Sequence, residues 1–366
     1  MRVLVVNVGS SSVKLRLLDA DDSVLLRWDQ PAADPAGAVR QALAECDPPD
    51  AVGHRFVHGG PELRSAAIVD DATLVTLRAV TELAPLHNPP ALAALDAARA
   101  AAPSVPNVAC FDTAFHARLP EAAARYALPR EWTERYGLRR YGFHGLSFAY
   151  ATRRAAQMLG RDPSDLRLVI CHLGAGASAA AVAGGRSVDT TMGFTPLEGL
   201  VMATRSGSVD PGLLLWLQRR HGVAAGALEE ALERRSGLMG MTGTGDMREV
   251  VAAAGRGEEP HSTALAVYVH RLRAAIASLA AAMGGLDVLV FTGAVGEGSD
   301  RVRTATCDGL VFLGVAAGSS AGEAPLAEDT DLTAEGARVR TLVIHAREDL
   351  EIAAETRAAM AAAGPR

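Results

Sequence analysis

Aromatic residues make up only 4% of this 366-residue chain, so its cores must be built from Ala, Val and Leu. Cysteine is sparser still. The four present, Cys46, Cys110, Cys171 and Cys307, form no C-x-x-C pair, which gives neither zinc spacing nor a disulfide framework. Cys110 and Cys171 sit in apolar runs, where a free thiol acts as a small hydrophobe, and this fits a reducing, cytoplasmic setting. There is no basic excess: 36 Lys and Arg against 42 Asp and Glu leave a net charge of −6, which argues against a dedicated nucleic-acid binder but allows a local basic pocket. No uncharged apolar span reaches the ~18 residues of a membrane helix. The nearest, from Ile276 to Thr292, is interrupted by Gly284, Gly285 and Asp287. The apolar start from Met1 to Val6 is too short for a signal peptide. Neither a membrane nor nucleic acid is expected as a partner.

What is present is an ordinary globular composition, 49% hydrophobic and 21% charged, at a length that suits two domains. Val3 to Val6 reads as a buried strand. After the small turn Asn7-Val8-Gly9-Ser10-Ser11-Ser12, a second strand from Val13 to Leu18 alternates Val13, Leu15 and Leu17 with Lys14 and Arg16. Leu166 to Leu173, the turn Gly174-Ala175-Gly176-Ala177-Ser178 and Ala179 to Val182 repeat that unit half a chain later, and Arg186 to Val188 adds a further strand. This suggests a duplicated fold. Between the units lie helices. Asn88 before Pro89 predicts an N-cap with proline at the first helical position. Leu265, Val269, Leu272, Ile276, Leu279 and Met283 form one buried helical stripe. Asp287 to Phe291 then predicts a buried strand, residues 292–298 a turn before another helix, and the tail after Glu348 a terminal helix. The class is α/β.

One glycine-rich turn after a strand is a structural commonplace. Three of them, residues 7–12, 172–178 and 292–298, two carrying serine, point to a cradle for polyphosphate oxygens made of hydroxyls and backbone N–H groups. Lys14 adds a point charge beyond the first. None matches G-x-x-x-x-G-K-[ST], which argues against a P-loop enzyme. Charged residues also gather in short, Gly-bounded segments: Gly53-His54-Arg55-Phe56-Val57-His58-Gly59-Gly60, residues 111–116, residues 141–145 and residues 203–207. Such segments serve as site loops or as buried ion pairs and caps. His54 and His58 share a strand face about 13 Å apart, at ~3.3 Å per residue, too far for one metal. His116, His221, His261 and His270 are read as packing or surface residues.

These segments, with Ala84-Pro85-Leu86-His87-Asn88-Pro89, Arg139-Arg140-Tyr141-Gly142-Phe143-His144-Gly145, Asp189-Thr190-Thr191-Met192-Gly193 and residues 195–207, follow one another over nearly the whole chain in an order that resembles the acetate kinase family, of the acetate and sugar kinase/heat-shock 70/actin superfamily. The resemblance implies two duplicated ribonuclease H-like α/β domains with an interdomain active-site cleft. Residues 1–148 and 350–366 would form an N-terminal acyl- and phosphate-site domain with a returning C-terminal helix, and residues 149–349 the nucleotide-binding domain. It implies reversible, Mg²⁺-dependent (or Mn²⁺-dependent) transfer of a phosphoryl group from ATP to acetate, giving acetyl phosphate and ADP, by a homodimer.

By the same resemblance Arg55 and Arg205 hold the carboxylate and the moving phosphoryl group, Asp112 orients the carboxylate or a metal-bound water, and His144 donates a hydrogen bond in the transition state. His87 and His172 support the site. Asn7 and Glu348 hold the metal, and Asn7, Ser10, Ser12 and Lys14 line the phosphate side. The acyl pocket is Val57, Leu86, Phe143 and Pro196, small enough to favour acetate. The nucleotide lies against His172, Gly174, Gly176, Asp246, Met247, Arg248, Gly293, Ala294, Val295 and Gly296. Three residues depart from the family pattern: Ala175 and Arg347 replace Asn, and Ala294 replaces Gly. The link between Lys14 and Gly53 is short. A kinase for propionate or another short-chain acid, or a non-catalytic nucleotide-binding module of the same fold, is the alternative.

Overall fold

The computed structural model describes residues 1–9, 12–318 and 326–364. The chain divides into two units, the first made of residues 1–117, 143–150 and the tail from 347, the second of residues 118–142 and 151–346. The segment 118–142, expected in the first domain, lies in the second unit because its bonds are there. Tyr141 donates its N–H to the Gly193 carbonyl (3.0 Å) and the Tyr126 hydroxyl donates to Glu198 (2.6 Å).

The first unit is built on β1 (Val3–Val8), β2 (Ser12–Leu18), β3 (Val24–Pro31), β4 (Ala51–Phe56), β5 (Ala67–Ile68) and β6 (Asn107–Phe111), in the spatial order β3-β2-β1-β4-β6-β5. The second is built on β7 (Arg167–Leu173), β8 (Ala177–Ala183), β9 (Arg186–Thr190), β10 (Val288–Thr292), β11 (Thr330–Asp331) and β12 (Arg340–Val343), in the order β9-β8-β7-β10-β12-β11. Each order steps through antiparallel, antiparallel, parallel, parallel and antiparallel neighbours. The duplication expected from the two strand–turn–strand units is a duplication of the whole sheet. Asn7 and Val8, expected in a turn, are the last residues of β1, while His172 and Leu173 end β7 as the apolar run from Leu166 predicts. Continuing the ladder keeps their backbone groups paired. The expected turn at 292–298 is itself a short helix, Gly293–Gly298, and Ser299 caps the next helix, Asp300–Asp308.

Alternation divides the first sheet's faces. Leu4, Val6, Val8, Val13, Leu15 and Leu17 face Ala38, Val39, Ala42, Ala94 and Ala98 on the helices Pro35–Glu45 and Asn88–Ala101. Val3, Val5 and Cys110 face Ile352 and Ala353 on the returning helix Glu348–Ala363. Asn88 does not cap its helix. Buried, it donates to the His58 carbonyl (3.0 Å), and His87 takes the cap position. In the second unit the helix His261–Ala282 is long and apolar enough to cross a membrane by length and composition, although Arg271 and Arg273 interrupt its apolar run. Its buried stripe from Leu265 to Leu279 packs on β7, β8 and β9 as a core helix.

Three histidines are buried in the first unit. Burial holds the rings of His54, His58 and His116 down to about 4 from an ordinary 6.5, against opposing hydrogen bonds from His54 to Asn107 and from His116 to the Phe143 carbonyl. Above pH 6.5 each is neutral whether folded or unfolded. Below it the unfolded chain takes up protons that the folded chain refuses, until the pH reaches about 4. Stability therefore falls as pH drops through that window, by on the order of 2–3 kcal/mol per ring. Thermal midpoints measured from pH 8 to 4 should decline below 6.5, the Asp112 carboxyl, raised to about 6, offsetting part of the three rings' loss, and His54→Gln should flatten the decline.

Candidate active site

The parallel strands β1, β4 and β6 end on the same edge of the first sheet, and each delivers one polar side chain there. Val6 pairs with His54 and Arg55 with Cys110 in register, so Asn7, Arg55 and Asp112 fall side by side at the carboxyl ends of their strands. The fourth member comes from the far end of the chain. Asn7 continues the face of Val3 and Val5 onto which the C-terminal helix packs, and Glu348 is that helix's first residue.

The four side chains are hydrogen-bonded to one another. Arg55 donates from Nη2 to Asp112 Oδ2 (2.7 Å), from Nε to both Asp112 oxygens (3.2 Å each) and from Nη1 to Asn7 Oδ1 (3.1 Å). Asn7 Nδ2 donates to Glu348 Oε2 (2.8 Å), which lies 3.6 Å from Arg55 Nη1. Burial pushes the Asp112 carboxyl up to about 6, with Arg55 pulling it back and Glu348 adding to the rise, so it is ionised at neutral pH. Burial works against the charge on Arg55, but Asp112 and Glu348 outweigh it and hold its pKa above the usual value. Two carboxylates thus share one guanidinium.

His144 stands beside this cluster through the backbone. Gly145 donates its N–H to the Asp112 carbonyl (2.9 Å), and a Cβ at 145 would run into that oxygen, so no other residue lets the chain pass so close. His144 takes a left-handed backbone (φ 57°), a strained conformation for a side chain with a Cβ and a frequent mark of functional sites. Val57 and Phe143 are buried, with Phe143 edge-on to His58 at 5.6 Å. Leu86 is half exposed and His87 half-buried at the head of its helix. Ser12 and Lys14 lie on β2, and Lys14, exposed, pairs across the ladder with Asn7. Ser10 lies outside the described residues.

In the second unit the carboxyl ends of β7 and β10 border a cavity of about 750 Å³. Gly174, Asp246, Met247, Arg248, Ala294 and Val295, all read from the sequence as nucleotide residues, line it; Gly176, Gly293 and Gly296 do not, Gly176 lying in the turn after β7 and Gly293 and Gly296 in the short helix Gly293–Gly298. Ala175 presents its methyl to this space while its carbonyl accepts from Ala203 N–H (3.0 Å). His172 ends β7 beside the turn. Arg205 is half-buried, and among the described residues it meets no carboxylate, only the Pro196 carbonyl (3.5 Å) and the Met202 sulfur (4.0 Å). Burial lowers its pKa against the pull of Glu233, and an arginine stays charged regardless. It is an under-used guanidinium fork.

Sequence reading missed three supports of the cavity. Glu297 Oε1 accepts from Gly293 N–H (2.7 Å) and Ala346 N–H (2.9 Å), fixing the turn after β10. Arg303, 2% exposed, donates to the Gly296 and Glu297 carbonyls (2.8 Å each), the orphan acceptors at the end of that short helix. Tyr268 lines the cavity from the core helix. The sequence signal for Glu297 was its place in the glycine turn; a buried Arg inside a polar helix gives none.

A magnesium ion fits the donor chemistry of the first unit. Asn7, Asp112 and Glu348 offer hard oxygens, and the two acidic groups exceed the one guanidinium by a negative charge. No group of three or more His, Cys, Asp or Glu suited to a metal occurs among the described residues; an ion held by these side chains would take water and substrate phosphate as its remaining ligands.

The Acetokinase family matches residues 37–354. Acetate kinases of Clavibacter michiganensis and Deinococcus deserti are 45% and 43% identical, over 98% and 99% of this chain and 99% and 98% of theirs. Among solved structures, an acetate kinase from Porphyromonas gingivalis (35% identity, TM-score 0.90) and a propionate kinase from Francisella tularensis (32%, TM-score 0.89) each cover 98% of this chain and are covered to 99%. The two-sheet α/β architecture, the clustered strand-end residues and these full-length likenesses converge: the chain belongs to the acetokinase family.

Proposed function

We propose that this enzyme is an acetate kinase that moves the γ-phosphoryl group of ATP directly to acetate and back. An acetate oxygen forms a bond to phosphorus as the bond to the ADP oxygen breaks, leaving acetyl phosphate and ADP. The observation that carries this reading is the Arg55–Asp112–Asn7–Glu348 cluster at the strand ends of the first unit. A binding module needs only phosphate turns; a buried guanidinium braced by two carboxylates is machinery for a second, anionic reactant. Acetate is ionised at neutral pH, so no general base is required.

The residues divide the work by chemistry. Arg55 holds the carboxylate, and Asp112 fixes the fork that does so. Arg205 spreads its charge over the equatorial oxygens of the moving group, and His144 donates a hydrogen bond to them. Asn7, Asp112 and Glu348 would hold Mg²⁺ (or Mn²⁺), which neutralises phosphate charge when bound. Ser10, Ser12 and Lys14 are assigned to the phosphates, with His87 and His172 in support. The second unit's cavity takes the adenosine, against Gly174, Asp246, Met247, Arg248, Ala294 and Val295, its turns shaped by Gly176, Gly293 and Gly296. Val57, Leu86, Phe143 and Pro196 are the side chains assigned to the methyl group, Val57 limiting its length. A propionate kinase is the second reading, favoured by the Francisella likeness.

The helix Pro211–His221 buries none of its residues and carries Leu213, Leu215 and Trp216 exposed. We assign this face to a homodimer working in the cytoplasm, without membrane or nucleic acid.

ATP, acetate and Mg²⁺ should yield ADP and a hydroxylamine-trappable acetyl phosphate. Arg205→Ala should lower kcat by about 10²–10³-fold, the usual loss for one transition-state donor, with an unchanged thermal midpoint; full activity would remove Arg205 from the mechanism. Val57→Ala should raise kcat/KM for propionate relative to acetate by about tenfold, the worth of one methylene in a pocket. Faster turnover of butyrate than of acetate by the unaltered enzyme would contradict the substrate assignment. Light scattering should give twice the 38.0 kDa chain mass, and Trp216→Glu should reduce it to one.

A further inference from the structure

The chain contains thirty-five arginines and a single lysine, Lys14. That lysine stands directly opposite Asn7 across the β1–β2 ladder, on the same face, where opposed Cβ atoms are about 5 Å apart. Asn7 is bonded to both Arg55 and Glu348. Lys14 is exposed, and among the described residues it has no hydrogen-bond or ion-pair partner. The one primary-amine side chain in the protein therefore sits open at the edge of the cluster assigned to the carboxylate and phosphate.

Acetyl phosphate is a mixed anhydride and an acylating agent. Its targets are uncharged amines and thiols, not guanidinium groups. Of the four thiols, Cys110, Cys171 and Cys307 are buried, and Cys46 is partly covered. Apart from the Met1 α-amine, Lys14 is the accessible amine of the described residues, and it lies where the reagent would be made. Holding an electrophile beside a nucleophile raises the rate without any new catalytic group.

We propose that Lys14 is acetylated by acetyl phosphate formed at this site, and that the modification is a brake on the enzyme by its own product. The free-base Nζ attacks the acetyl carbonyl carbon. The carbon–nitrogen bond forms, the carbon–oxygen bond to phosphate breaks, inorganic phosphate leaves and the amine loses a proton. The ammonium charge on the phosphate side of the site is lost. Elsewhere on the surface the cations are arginines, which the reagent leaves alone.

The proposal rests on the acetate kinase reading, and the test separates the two. Purified enzyme is incubated with acetyl phosphate, without nucleotide, beside an unstructured peptide spanning residues 9–19. Peptide mapping should place one acetyl group on Lys14, gained at least about tenfold faster than in the free peptide if the folded site concentrates the reagent. Phosphotransfer should fall in proportion to Lys14 occupancy, through a raised KM for ATP, and a lysine deacetylase should restore it. Lys14→Arg, whatever its own starting rate, should acquire no acetyl group at position 14 and should lose no activity on the same incubation relative to an unincubated sample of the same variant. Acetylation at the peptide's rate, or at Met1 alone, would overturn the proposal, as would full activity in the acetylated enzyme. A second arm supplies only ATP, acetate and Mg²⁺. Acetylation there supports both readings, whereas absence of acetyl phosphate in that arm overturns the kinase reading and the product brake with it.

Discussion

The ion pair between Arg55 and Asp112 is the constraint from which the first unit's site is built. A buried guanidinium left without its carboxylate costs roughly 3–5 kcal/mol, so neither residue is free to change alone. Asp112 is fixed in turn by its backbone, whose carbonyl receives Gly145 N–H, and the same contact sets where His144 stands. Asn7 then joins the fork of Arg55 to Glu348. Positions distant in sequence are held to within a hydrogen-bond length by one charge and the groups that satisfy it.

Both sheets use the same edge. In each, the carboxyl ends of the parallel strands carry the polar residues and turns, while the antiparallel strands extend the sheet. Parallel strands align their ends without a hairpin between them, which leaves those ends open for side chains and phosphate-binding turns. The two copies have diverged in what they place there. The first presents ionised side chains; the second presents small residues around a cavity of about 750 Å³.

Much of this was legible in the chain. Alternation at Val13, Leu15 and Leu17 gave β2 its face, and the paired strand–turn–strand units signalled duplication before any topology was known. Arg55, Asp112 and Glu348 were grouped through the family's motif order, since nothing in spacing alone brings position 348 to position 7. What escaped was governed by tertiary contact. Asn88 has the local signature of a helix cap, yet the buried His58 carbonyl claims its side chain. Residues 118–142 followed the first domain in sequence but are bonded to Gly193 and Glu198. The strand β3, largely exposed, lacks the burial pattern that marks its neighbours. Arg303 is invisible in sequence because a buried arginine answering two carbonyls resembles any surface arginine on a helix.

The hydrogen bond between Asn7 and Glu348 spans 341 positions of the chain. Strand β1 leaves the ribosome long before the C-terminal helix does, so the face that carries Asn7 stays uncovered until Ile352 and Ala353 arrive. During translation the second unit's sheet is complete while the first still lacks its closing helix. The nascent chain thus matures in the reverse of its written order, and chains that stop short of the last helix are released with the first unit's polar cluster unfinished.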